Sequence, residues 1–275
     1  MEFLRQAWLV ARFDFGTSLR NWKAVAAVTM YVLGAILCGF LLIRFQEEFG
    51  DKVQMARTAA LVAEAKAGPG DEAVRQIADV AGHLLDIPIV FAGFFFGSLF
   101  FLPLLVVLVG SDLVNAEVRN RSVRFSLLRC SRGSLLLGKL ASSAAVLLVA
   151  TVLADLVLVA LAWTRLPPFD LARTAFVMTE FWLLTVVFGF CYLALAALVS
   201  TLIDSAMLSL IVLLGVLIAF GMLDRTDVAF LSPSSWKLGL LSSHPSEVLS
   251  SAVAFAAFGV AFLGLAWARL QRRDL

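Results

Sequence analysis

LASSAAVLLVATVLADLVLVALAW, residues Leu140 to Trp163, is 24 residues long and carries one charge, Asp155. An α-helix rises about 1.5 Å per residue, so about 20 apolar residues cross the roughly 30 Å hydrocarbon core of a bilayer. The stretch reads as a membrane-spanning helix. Working outward, five more such runs appear: Ala24 to Ile43, Ile87 to Gly110, Ala175 to Leu202, Ala206 to Leu223 and Ala252 to Trp267. The run from Ala175 is long enough to tilt. Only Ile203, Asp204 and Ser205 separate it from the next, which predicts a tight antiparallel pair.

Composition agrees. The chain has 275 residues, of which 61% are hydrophobic and 15% charged, with a mean hydropathy of +0.94. A soluble domain averages roughly 45–50% apolar and about 25% charged, so too few polar side chains are present here to cover a water-facing surface. The expected fold is an all-α polytopic membrane protein with six transmembrane helices, forming a single transmembrane domain over residues 1–275. No segment outside the runs is long enough for a folded catalytic domain, so an energy source or catalytic partner is expected on another polypeptide. No cleavable signal peptide is expected, because Arg12 and Asp14 interrupt the first apolar stretch. The net charge of +2 is far from the basic balance of a nucleic-acid binder, and no nucleic-acid partner is expected.

Cation placement sets the orientation. Arg5, Arg12, Arg20 and Lys23 precede the first span, six Lys or Arg lie between Arg119 and Lys139, and Arg269, Arg272 and Arg273 follow the last span. These thirteen share one side; the nine on the other are spread over much longer loops. Both termini are therefore expected in the cytoplasm, in a multi-pass cell membrane protein, with the bacterial inner membrane as its setting. Eight acidic residues against five cations between Arg44 and Asp86 fit an outward loop.

Outside the spans, Phe3, Leu4, Trp8, Ala11, Phe15, Leu19 and Trp22 recur at steps of three and four within residues 1–23, predicting an amphipathic helix in the inner interface; a straight extension of the first span is the other reading. Residues 44–86 predict an extracytoplasmic helical hairpin broken at Gly68-Pro69-Gly70: a lid, a docking surface for an extracytoplasmic partner, or an extension of two long helices. Residues 224–247, with Pro233, Trp236 and several Leu, suit short helices re-entering the outer leaflet, or a surface loop. Pro88 and Pro103 predict kinks in the second run, and Gly93 and Gly97 form a G-x-x-x-G spacing that lets helices approach closely, within the chain or at a dimer contact.

The segment GSDLVNAEVRNRSVRFSLLRCSRGSLLLGK, Gly110 to Lys139, is densely charged yet places Val123, Leu127 and Leu128 at helical steps. It suits a surface pressed on another protein, or an ordinary basic loop. It resembles the connection in permease subunits of type-2 ATP-binding-cassette (ABC) exporters, where a Glu-led loop passes through a coupling helix to Ser/Thr-Arg and Gly-Lys entering the third span. The matching positions are Glu117, Ser131, Arg132, Gly138 and Lys139; Ser122-Val123 stands where Gly-Thr is usual, and Cys130 where Pro is common. The resemblance implies a cytoplasmic coupling loop over residues 111–139, seated in a separate ABC ATPase subunit that carries ATP and Mg, and a second permease chain, identical or not. It implies that Arg119, Arg121, Arg124 and Arg132 serve the coupling surface, and that Glu117 anchors the loop to a basic residue of the interfacial helix.

Gly133 to Lys139 fits all but the last position of a phosphate-binding loop, but Leu140 stands where the magnesium hydroxyl belongs, so ATP is not expected on this chain and no cofactor is expected here. Three scattered cysteines (Cys38, Cys130 and Cys191) and two histidines (His83 and His244) predict free thiols and no metal centre, and neither histidine falls in a span to serve a nucleophile. The chain therefore reads as a transporter subunit rather than an enzyme.

Asp155 lies in the outer half of its span, and Glu180 lies near the outer end of the next, at a similar depth. An intramembrane Asp costs about 2.5–3.5 kcal/mol on insertion scales. The pair is therefore a candidate cation, proton or substrate-headgroup site, unless Arg165 or Arg173 neutralises it as a helix tie. An ion-gradient transporter or channel using Asp155 and Glu180, and a non-transporting scaffold, are the alternatives to the exporter subunit.

Overall fold

The computed structural model describes residues 2–66, 88–111, 113, 115, 130–166, 170–224, 226, 228–242 and 244–272. Every regular element among them is helical. The elements are α1 (Glu2–Ser18), α2 (Trp22–Lys66), α3 (Ile89–Gly110), α4 (Arg132–Arg165), α5 (Leu171–Leu202), α6 (Ala206–Leu223), three short 3-10 turns (Ala229–Leu231, Pro233–Trp236 and Leu238–Leu241) and α7 (Pro245–Arg272). Six of these helices, α2 to α7, are long and apolar enough to cross a membrane, which makes the chain a multi-pass membrane protein.

The helix starts follow from side-chain caps on otherwise orphaned N–H groups. Ser131 accepts from the Ser134 N–H at the head of α4. Asp170 accepts from the Ala172 and Arg173 N–H groups at the head of α5. Ser205 heads α6, confirming the tight turn between the fourth and fifth spans. Pro88 occupies the cap position before α3, so it opens that helix and does not kink it; a proline ring is tolerated there because no helical N–H is lost. Pro103 lies inside α3, which continues past it to Gly110.

α5 is the axis of the bundle. It lies against α7, α4 and α3, and 67% of its most apolar window is buried, against 11% for α6 at the periphery. α2 packs on α3 and α4. Gly93 permits part of this: a Cβ there would lie 2.6 Å from Leu42, whereas one at Gly97 would meet nothing within 4 Å. One half of the G-x-x-x-G spacing therefore works inside the chain.

α1 is a separate helix, turned off at residues 19–21 and laid against α4, which decides against a straight extension of the first span. Ala11 is buried and Phe15 half-buried against the bundle, whereas Leu4, Trp8, Leu9 and Phe13 are exposed beside the exposed Arg5 and Arg12. An apolar outer stripe edged with cations suits the lipid–water boundary. Phe3 of α1 and Trp267 of α7 both approach Gly133 of α4, so the two chain ends lie at one end of the bundle.

Beyond the opposite end, α2 continues without a break to Lys66, so the first half of the 44–86 segment extends the first span. Residues 67–87, the expected second half of the hairpin, lie outside the described residues. The 224–247 segment forms the three 3-10 turns, of which the last inserts Leu240 and Leu241, both buried, beside Leu99 and Leu102 of α3 and Phe181 of α5. These contacts fall well inside the apolar lengths of α3 and α5, which favours re-entry over a surface loop.

Candidate functional site

Two constellations carry chemistry. The first surrounds the stems of the connection between α3 and α4. Glu117, Arg119, Arg121 and Arg124 lie outside the described residues, but both ends of the connection are placed. At its departure, the Asn115 side chain, 1% exposed, donates to the Ser209 hydroxyl at the start of α6 (2.8 Å) and to the Ser111 carbonyl (3.3 Å). At its return, the Gln6 side-chain oxygen of α1 accepts from the Ser131 N–H (3.2 Å) and the Ser134 hydroxyl (3.3 Å).

Arg132 turns inward. Its Nη1 donates to the carbonyls of Leu270 and Gln271, both at 2.8 Å, at the last turn of α7. A helix leaves its final carbonyls without partners and its C-terminus electronegative, so a guanidinium is well matched to that end. Two turns further along α4, Lys139 pairs with Asp14 of α1 at 3.2 Å, with the two side chains 9% and 24% exposed. Gly138 removes the bulk that would hold α1 away, since a Cβ there would stand 2.7 Å from the Ala7 carbonyl oxygen. Ser131, Arg132, Gly138 and Lys139 thus each join α4 to α1 or α7. Residues Gly133 to Lys139 are helical and already spend their backbone in α4, which leaves no phosphate-cradling loop.

A family model described as ABC-2 family transporter protein matches residues 8–275. The chain belongs to that family. No curated protein matches this ABC-2 chain. Membership makes it a membrane transport subunit of the ABC permease kind.

The second constellation of the ABC-2 chain is a polar layer within the spans. Asp155, fully buried, accepts from the Trp182 indole N–H at 2.5 Å through one oxygen; its other oxygen has no hydrogen-bond partner among the described residues. Tyr31 of α2 faces Asp155 and Thr151 of α4 and shares a 2.9 Å hydrogen bond with Ser98 of α3. The expected neutralisation by Arg165 or Arg173 is not what holds Asp155: its partner is an indole. The contact with Trp182 places Asp155 level with Glu180, two residues away on α5, as the depth argument expects. A helix turns about 200° over two residues, however, so Trp182 and Glu180 point to nearly opposite sides of α5. Glu180 lines a crevice with Phe95, Val177 and Leu241 instead.

Sequence reasoning missed Tyr31, Ser98, Trp182, Gln6 and Asn115. Tyr31 had a usable signal, being one of two tyrosines in the chain and placed amid an apolar run. Gln6 had none, since its partners are more than a hundred residues away.

Proposed function

We propose that this chain is the membrane-spanning subunit of an ATP-driven ABC exporter, working with a second permease chain and with separate ATPase subunits that carry ATP and Mg. Both termini then face the cytoplasm, as the cation asymmetry argues, and the connection between α3 and α4 is the handle the ATPase moves. Family membership supports the ATPase partnership. The observation that carries the lever reading is the tying of that connection at both stems: to α6 through Asn115 and Ser209, and to α1 and α7 through Gln6 and Arg132. A displacement of the handle is thereby delivered to three elements at once. The cations Arg119, Arg121 and Arg124 supply charge for acidic groups of the ATPase, and Glu117 supplies an anchor toward the basic residues of α1.

Purification from the native membrane tests the partnership, with an ATPase expected to travel with the chain. In the reconstituted complex, charge reversal at Glu117 or Arg121 should leave ATP hydrolysis running while transport falls. Full coupling in both variants, or cargo movement by the purified chain alone, refutes the reading. The ion-gradient alternative draws less support, because Asp155 and Glu180 leave α4 and α5 toward different surroundings.

A further inference from the structure

α1 presents a surface that the bundle does not cover. Its anchor points on α4 are close together: Gln6 bonds Ser131 and Ser134, Phe3 approaches Gly133, Ala7 and Val10 lie over Gly138, and Asp14 pairs with Lys139. They end where the apolar run of α4 begins, at Leu140. α1 is therefore held at the edge of the hydrocarbon core, at the depth of the lipid headgroups.

On the side turned away from the bundle, Arg5 and Arg12 stand in one row, because seven residues return a helix to within about 20° of the same direction, about 10.5 Å further on. Leu4 and Trp8 border that row on one side, and Leu9 and Phe13 border it on the other. All six side chains are exposed, Trp8 and Phe13 by 68% and 74%. The mixture continues around the turn into α2, where Leu19, Arg20 and Trp22 are exposed. Acidic groups do not balance it. Residues 2–22 hold two acids, and Asp14 is turned to Lys139, which leaves Glu2 exposed against three exposed arginines.

We propose that the outer surface of α1 binds acidic phospholipids, with Arg5, Arg12 and Arg20 on their phosphates and the flanking Trp8, Leu9 and Phe13 sunk among the upper acyl chains. A guanidinium meets a phosphate through two parallel N–H groups, which suits it to this partner. A zwitterionic headgroup sets its own ammonium against its phosphate and offers three arginines no net charge. An acidic leaflet does offer it, and each cation close to that surface adds its own attraction. Apolar and cationic side chains within one turn of each other match a boundary where phosphate lies directly above hydrocarbon. An acidic protein face matches the arginines alone. The surface is the same whichever way the chain crosses the membrane, and it does not rest on the exporter reading.

The test places the full-length protein, without any ATPase, in phosphatidylcholine vesicles holding a minor fraction of a dibrominated lipid, which quenches tryptophans beside it. The quenching that disappears in Trp8→Phe is Trp8's own share. Dibrominated phosphatidylglycerol should quench that share as though enriched about threefold or more over dibrominated phosphatidylcholine at the same fraction, and high salt should shrink the preference. Joint Arg5→Gln and Arg12→Gln substitution should bring the two lipids to parity, whereas joint Arg5→Lys and Arg12→Lys substitution should keep most of the preference. Continued quenching by dibrominated phosphatidylcholine in the glutamine variant shows that α1 still lies at the membrane. Equal quenching by both lipids in the wild type, or an undiminished preference in the folded glutamine variant, overturns the proposal. Should that variant fail to fold, the wild type decides: a preference unmoved by salt overturns it equally. So does a Trp8 that neither lipid quenches but that an added ATPase shields from aqueous acrylamide, for the face then belongs to a protein partner.

Discussion

Asp155 is the costliest side chain in α4, and a single bond from Trp182 accounts for one of its two oxygens. Asp155→Asn keeps an oxygen for the indole N–H and replaces the bare one with an amide able to donate to the Tyr31 or Thr151 hydroxyl. Its unfolding midpoint in detergent should match or exceed the wild type's. Asp155→Leu strands the indole N–H in an apolar interior, and Trp182→Phe strands the second carboxyl oxygen, so each should lose about 1–3 kcal/mol. The double variant should lose clearly less than the sum, because the second change removes a group already orphaned by the first. Strict additivity would show that the bond carries no energy. A comparable logic separates Asp155 from Glu180: equal depth is readable from a count along two spans, but the facing direction depends on how the helices rotate, which their uniformly apolar stretches do not specify.

At the scale of elements, the joint between α1 and α4 rests on shape and charge together. Gly138 brings the α4 backbone within reach of the Ala7 carbonyl, and backbone cannot swing aside as a flexible side chain does. Gly138→Val should therefore prise α1 away, raising the rate of tryptic cleavage after Arg12 in the reconstituted protein. Wild-type cleavage in that variant would refute the joint. Asp14→Asn should loosen the same joint by about 1–3 kcal/mol, between the exposed and buried limits for an ion pair losing one member. The spans themselves were readable because hydrophobic length is a local property; Ala206 to Leu223 even has the expected ends. α4 begins eight residues earlier than its apolar run because Ser131 caps it and because Gly138 and Lys139 lie against another helix, facts that hydropathy does not register. The α1 periodicity announced an amphipathic helix, but it assigned Ala11 and Phe15 to the same face as Leu4 and Trp8. The bundle takes the first two and leaves the others outside.

For the whole molecule, the two stems of the α3–α4 connection determine what a push on it can do. Asn115 hands the departing stem to α6, a helix only 11% buried in its apolar window and therefore lightly held by the rest of the chain. Arg132 hands the returning stem to the end of α7, which packs along the central α5. One stem thus meets a light load and the other a heavy one, so their loss should differ. Arg132→Ala frees the α7 carbonyls and should cut transport per ATP hydrolysed by about tenfold, the equivalent of about 1.4 kcal/mol of coupling. Asn115→Ala, releasing only peripheral α6, should cut it less. Both variants should keep hydrolysing ATP in complex with the ATPase, since neither residue is spent on the outward surface. Measuring hydrolysis and transport on the same vesicles decides the matter: a parallel fall in both rates means the residues serve assembly, and an unchanged ratio in Arg132→Ala means the heavy stem is not the route by which force enters the bundle.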